Sequence, residues 1–177
     1  MLVVCLLGCD SSGEIEKALY LRERLLEAQE CAFHCTITAD YTDSVYTFAM
    51  SCEADKAGNL SFTVEDPEAI VGVSGSIGAS NCHLTFDDQI LVFPHFADGQ
   101  IAPVTAPWLL LKTLRSGYIS GAQTDGSLTH LIIDDSYDEN PILLDIWIDD
   151  NSHPVRGEIL YKGRRILSVD VRDFTIT

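Results

Sequence analysis

The sequence predicts an α+β domain, one long antiparallel meander carrying an N-terminal helix and a short inserted helix. Three observations predict it. Between Glu14 and Glu30, Ile15, Leu19, Leu25 and Leu26, with Ala18 and Ala28, recur near helical spacing. From Cys31 the period drops to two, so that Cys31, Phe33, Cys35, Ile37, Ala39 and Tyr41 alternate with small or polar residues. The last stretch, Pro141 to Thr177, reads as consecutive strands around Asp149–Pro154 and Lys162–Arg164, with no room for a helix.

Taken in order, Glu14 and Glu16 suit the positive end of a first helix. The alternation after it resumes as Tyr46, Phe48, Met50 and Cys52, and again as Leu60, Phe62 and Val64 beyond a turn at Asp55–Asn59. One face of these strands is apolar and aromatic and the other small and polar, as an antiparallel sheet with one buried face requires. Further strands are expected at 69–74, 82–86 and 89–93, with Gly75–Ser80 as a small-residue connection and His95–Val104 as a loop. A short helix is expected over 105–115. Thr105 is its cap and Pro107 lies in its first turn, Ser116-Gly117 stops it, and Trp108, Leu111 and Leu114 share a face. A hairpin around Asp125-Gly126 and an acidic turn, Asp134–Asn140, lead into the C-terminal strands, which are expected at the far edge of the sheet. The total is about nine to eleven strands.

The chain has 177 residues, enough for one domain with a sizeable core. Its 11 basic and 27 acidic residues give a formal charge of −16, a field that repels phosphate backbones and excludes nucleic acid as a natural partner. Residues 1–8 are an uninterrupted apolar run. Leu6-Leu7-Gly8-Cys9 resembles the bacterial lipobox, which implies a signal peptide cut before Cys9, a diacylated Cys9 and a short tether over 9–13. No Lys or Arg precedes the run; a start further upstream would supply one. An ordinary buried N-terminal strand is the alternative. No later apolar run approaches the ~18–20 residues a membrane span needs.

The remaining chain, 14–177, resembles the bacterial LolA-like lipoprotein-carrier superfamily. Ile146-Trp147-Ile148-Asp149 followed by Pro154–Ile159 is similar to that family's penultimate strand pair. Lys162–Val169 with Phe174 is similar to its closing strand, and Pro107–Leu114 with Ser116-Gly117 to its helical insert. The resemblance implies a meander curled into a half-barrel with both helices on its concave face. Strict carriers of that family are soluble shuttles; this chain, with its lipobox-like start, is instead an anchored relative. The expectation is therefore an extracytoplasmic monomer held to the outer face of the cytoplasmic membrane by a lipid at Cys9. It would bind a lipid or other apolar molecule, without catalysis and without a cofactor. The alternative is an anchored protein-interaction or envelope-sensor domain that presents its acidic outer face to a protein partner.

An incomplete barrel must cover its concave apolar face with helices or with ligand. The residues expected to line the cleft are Phe33, Ile37, Tyr46, Phe48, Met50, Leu60, Phe62, Val64, Leu84 and Phe86, with Trp108 and Leu111 on the helix. If the helices fill the concavity, the same residues are core. Cys31 and Cys35 lie about 13 Å apart along a strand, beyond the ~7 Å reach of a disulfide. Pairing Tyr41 with Tyr46 sets Cys35 opposite Cys52, so those two can form a cross-strand bridge or remain buried thiols. No metal site is expected, because His34 faces away from both sulfurs and Asp134–Asn140 lacks calcium-loop spacing. Gly72-Val73-Ser74-Gly75-Ser76 approaches a nucleophile elbow but lacks the second glycine and a following helix.

Overall fold

The computed structural model describes residues 12–41, 43–87, 89–97, 100–135 and 142–177; the apolar run 1–8 and Cys9 lie outside them. Helix α1 spans Ser12–Glu27. It buries Ala18, Leu21 and Leu25, with Ala28 just past its end, and leaves Ile15, Leu19 and Leu26 exposed. The expected stripe is therefore rotated. Arg22 fixes that rotation by donating to the carbonyls of Leu114 and Gly117, each at 2.7 Å.

The first six strands are β1 (Glu30–Asp40), β2 (Val45–Asp55), β3 (Leu60–Asp66), β4 (Ser74–Ile77), β5 (Cys82–Phe86) and β6 (Gln89–Phe93). A small separate ribbon, β7 (Phe96–Ala97) and β8 (Gln100–Ile101), precedes α2 (Ala106–Ser116). Then come β9 (Tyr118–Asp125), β10 (Leu128–Asp134), β11 (Ile142–Ile148), β12 (Pro154–Tyr161) and β13 (Arg164–Ile176). Eleven strands form one open antiparallel sheet in the order β6-β5-β4-β3-β2-β1-β13-β12-β11-β10-β9. The fold is α+β, a half-barrel with both helices on the inner face.

The closing strands are not an edge. β13 pairs with β1 at the middle of the sheet, with Leu167, Val169 and Val171 opposite Ala39, Ile37 and Cys35. β1 alternates along its whole length and β13 from Leu167 to Val171, so both strands bury an inner row where they pair. Phe174 packs at a tilt against Phe33, ring centroids 5.6 Å apart, at a bulge between Ala32 and His34. Two meanders thus run outward from the paired first and last strands, one to an edge at β6 and the other to an edge at β9.

Two local expectations change. Residues 68–70 form a 3₁₀ turn, and the small-residue stretch supplies β4 instead. Gly75 explains why that stretch is a strand: a Cβ there would lie 2.7 Å from the Phe62 ring, so only glycine lets β4 pass under it. Thr105 does not cap α2; its hydroxyl donates to the Ala102 carbonyl at 2.6 Å.

Candidate ligand-binding site

The helices cover the two halves of the sheet unequally. α1 packs on α2 and β9, and α2 on β10, β11 and β13. On the other wing, the register aligns inner-face residues in rows that cross from β2 to β6. One row runs Ala54, Leu60, Ile77, Cys82, Phe93, and the next Cys52, Phe62, Gly75, Leu84, Leu91. Along both rows burial falls toward the edge. Leu60, Ile77 and Cys82 are buried and Phe93 is half-buried; Phe62 is buried, Leu84 half-buried and Leu91 61% exposed. Phe86, on the same face of β5, is 56% exposed. The wing's apolar inner surface runs out from under its cover.

Of the residues expected to line a cleft, Phe33, Ile37, Phe48, Met50, Leu60, Phe62 and Val64 are buried in the core, and so are Trp108 and Leu111 on α2. Leu84 and Phe86 lie on the uncovered end of the wing. Tyr46 is 56% exposed at the rim beside Tyr41, whose hydroxyl donates to the Ile101 carbonyl at 2.6 Å. Leu91 and Phe93 complete the uncovered surface and escape sequence reading, because the run Ile90–Phe93 is apolar at every position and carries no alternation to assign a face.

Next to this wing, α2 borders two cavities. One, of about 300 Å³, lies among Ser80, His95, Ile101, Trp108, Lys112 and Asp135. The other, of about 280 Å³, lies among Ala54, Gly58, Trp108, Leu111, Lys112 and Arg115. Trp108 stands between them, its indole N–H donating to the Gly58 carbonyl at 2.9 Å. Lys112 pairs with the buried carboxylate of Asp135 at 2.8 Å. The His95 ring packs on Trp108 at 4.5 Å between centroids, and neither of its nitrogens, both shut off from water, has a hydrogen-bond partner.

Burial, and secondarily the Lys112 ammonium, holds His95 below the usual imidazole range. A depressed histidine binds fewer protons folded than unfolded, so its contribution to stability is complete above the unfolded value, about 6.5, and is lost as pH falls below it. His95→Gln should therefore flatten part of the fall in urea midpoint between neutral and mildly acidic pH. An unchanged pH dependence would show that the imidazole is protonated without penalty.

No family model matches the sequence, and no curated protein matches it. Solved structures do. An outer membrane lipoprotein-sorting protein domain from Vibrio parahaemolyticus superposes over 95% of this chain and 94% of its own, with TM-score 0.51 and 8% identity. The fold is LolA-like. A conserved protein of unknown function from Thermus thermophilus matches with TM-score 0.51 over 92% of this chain and 87% of its own at 12% identity. A DUF1329 family protein from Desulfovibrio piger does so over 96% and 94% at 8% identity, also with TM-score 0.51.

The LolA-like half-barrel places the cysteines on its inner face. β1 and β2 pair Ala39 with Tyr46, which sets Cys35 opposite Met50 and Cys52 opposite Phe33, two residues from the expected register. Cys35 and Cys52 are nonetheless diagonal neighbours, free thiols with sulfurs 3.8 Å apart. The hydrogen bond to Cys35, then burial, pushes the Cys52 thiol well above its ordinary range. His34 points outward and meets Glu65 at 3.1 Å. Among the described residues no His, Cys, Asp or Glu cluster could hold a metal, and no helix is long and apolar enough to cross a membrane.

Proposed function

We propose that the chain is a membrane-anchored, extracytoplasmic, non-catalytic binding module for a lipid or other hydrophobic ligand. The observation that carries this is the uncovered inner face of β5 and β6, where Leu84, Phe86, Leu91 and Phe93 continue the core's apolar surface into solvent. An apolar surface continuous with a core and rimmed by polar residues marks a binding site. It offers rings and aliphatic groups, with no nucleophile beside a base. The anchor is the diacylated Cys9, whose tether leads directly into α1.

The test is to purify the protein from membranes, extract it with solvent and identify bound lipid by mass spectrometry. Exchanging Phe86 for Ser and Leu91 for Gln removes exposed apolar area worth on the order of 1 kcal/mol or more per side chain in a complex. Lipid occupancy should then fall about tenfold or more with an unchanged melting temperature. Cys9→Ser should move the protein to the soluble fraction. Repeated absence of bound lipid, or occupancy indifferent to both exchanges, would sink the reading.

A second reading, protein docking, is favoured by one feature. Ile90 and Val92 are exposed on the outer face of edge strand β6, whose outer backbone is open to a further strand. Polar exchanges of these two, rather than of Phe86 and Leu91, would then remove the interaction. Most of the acidic turn first expected to serve such a partner, 136–140, lies outside the described residues.

In an oxidising compartment Cys35 and Cys52 are proposed to close a disulfide. Alkylation in denaturant, with and without prior reduction, should find these two thiols protected in protein from the cell envelope, while Cys31 and Cys82 are modified in both samples. Four modified thiols without reduction would rule the bridge out.

A further inference from the structure

The two cavities flanking Trp108 share Ala79, Trp108 and Lys112, so they are two lobes of one groove along α2. Its helical wall presents Trp108, Leu111, Lys112 and Arg115, residues at helical spacing on one face. This is unusual for a chain of formal charge −16: two of its 11 basic residues face one small groove. They are not equally neutralised. Lys112 has Asp135 at 2.8 Å. Arg115 has, among the described residues, only the Asp55 carbonyl at 3.4 Å and the neutral Cys31 thiol. Its Nε–H is closed off from water with no acceptor. A guanidinium carries five donors and a full charge; here the buried Nε–H is left without an acceptor, a cost that a ligand oxygen would relieve. The helix dipole favours cations near this end of α2, but it does not provide an anion to face them. In the other lobe, His95 keeps two unmet ring nitrogens. As a neutral ring it can donate one hydrogen bond and accept another.

The groove adjoins the apolar wing. Pro94 and His95 line it and follow directly on β6, whose inner-face Leu91 and Phe93 belong to the uncovered surface, so His95 and Leu91 are at most about 13 Å of extended chain apart. An occupant matched to both parts has a charged end at Arg115 and Lys112 and an apolar chain lying along Phe93 and Leu91. We propose that this groove binds the anionic head, a carboxylate or a phosphate, of a single-chain or larger amphiphile, with Arg115 as the charge-reading residue and Trp108 against the start of the chain. The proposal rests on the hydrophobic-ligand reading above and adds the chemistry of the head and where it sits.

Isothermal titration of the full chain with three probes tests it: dodecyl phosphate and the uncharged 1-monododecanoylglycerol, each below the concentration at which it self-assembles, and inorganic phosphate. Dodecyl phosphate should bind at least about tenfold more tightly than the uncharged probe, the scale of a charge-assisted hydrogen bond. Arg115→Gln should erase that difference by weakening dodecyl phosphate. Arg115→Lys, which keeps the charge and the fold, should retain most of it, and Arg172→Gln, exposed on the outer face, all of it. Equal affinity for the two amphiphiles in the native protein overturns the head-group assignment and leaves the apolar reading standing. Inorganic phosphate binding as tightly as dodecyl phosphate also overturns it, by showing an anion site that ignores the chain. Binding of neither amphiphile removes this proposal and the apolar reading together.

Discussion

Phe62→Ala should destabilise the protein by about 3–5 kcal/mol, the usual cost of deleting a buried phenylalanine ring. The measurement is a lower urea midpoint at unchanged slope. Phe62 is 4% exposed and stands in the middle of its cross-strand row, with Cys52 on one side and Gly75 on the other. Its ring covers the glycine, so truncation leaves a hole that the β4 backbone cannot fill. Phe86→Ala, at the uncovered end of the wing and more than half exposed, should change stability by no more than about 0.5 kcal/mol. The two phenylalanines look alike in the sequence, each an apolar position in an alternating strand, and the experiment separates them. Ligand loss without destabilisation in Phe62→Ala would mean that this ring lines an open cavity instead of the core.

That pair also shows what was legible in the sequence. The period-two rows from Cys31 to Val64 give the inner face correctly, because each apolar residue there is separated from the next by one polar or small residue. What alternation cannot give is how far the cover extends. Phe33 and Phe48 are buried near the centre of the sheet, Phe33 against the Phe174 ring. Leu84 and Phe86 are left open because the helices pack mainly on each other and on the β9–β13 wing. That difference depends on where helices of 16 and 11 residues lie across eleven strands, and it is a tertiary quantity. The same holds for the stripe on α1, where Ile15, Leu19 and Leu26 satisfy a helical period but Arg22 locks a different face inward.

The groove was legible only in part. Trp108 and Leu111 stand out as an apolar helix face. Lys112 and Arg115, interleaved with them, read as solvated charge until the structure places the turns at Gly58 and Ala79 against them. His95 lies in a stretch that reads as loop, and nothing in its neighbours signals that both of its nitrogens will be buried. The central position of β13 was missed for a related reason. Pairing between the first and last strands is the longest-range contact in the chain, and local pattern carries no trace of it beyond the two strands' unusual length.

Gly75→Ala should be more damaging than overpacking usually is, exceeding the common range of about 1–3 kcal/mol. An added Cβ would lie 2.3 Å from the carbonyl oxygen of His83 and 2.7 Å from the Phe62 ring. The ring can turn; the carbonyl belongs to β5 and can retreat only if the β4–β5 pairing opens. Gly157→Ala makes a useful contrast, since its Cβ would meet only the side-chain end of Leu110, at 2.5 Å. Leu110→Val should then recover much of the loss from Gly157→Ala, a favourable coupling in a double-mutant cycle, whereas Phe62→Leu should recover little of the loss from Gly75→Ala. Because β4 and β5 carry the outer wing, Gly75→Ala should also reduce lipid occupancy, through displacement of Leu84 and Phe86 rather than loss of their apolar area. Full rescue by Phe62→Leu would locate the limit in the ring and remove the backbone from the account.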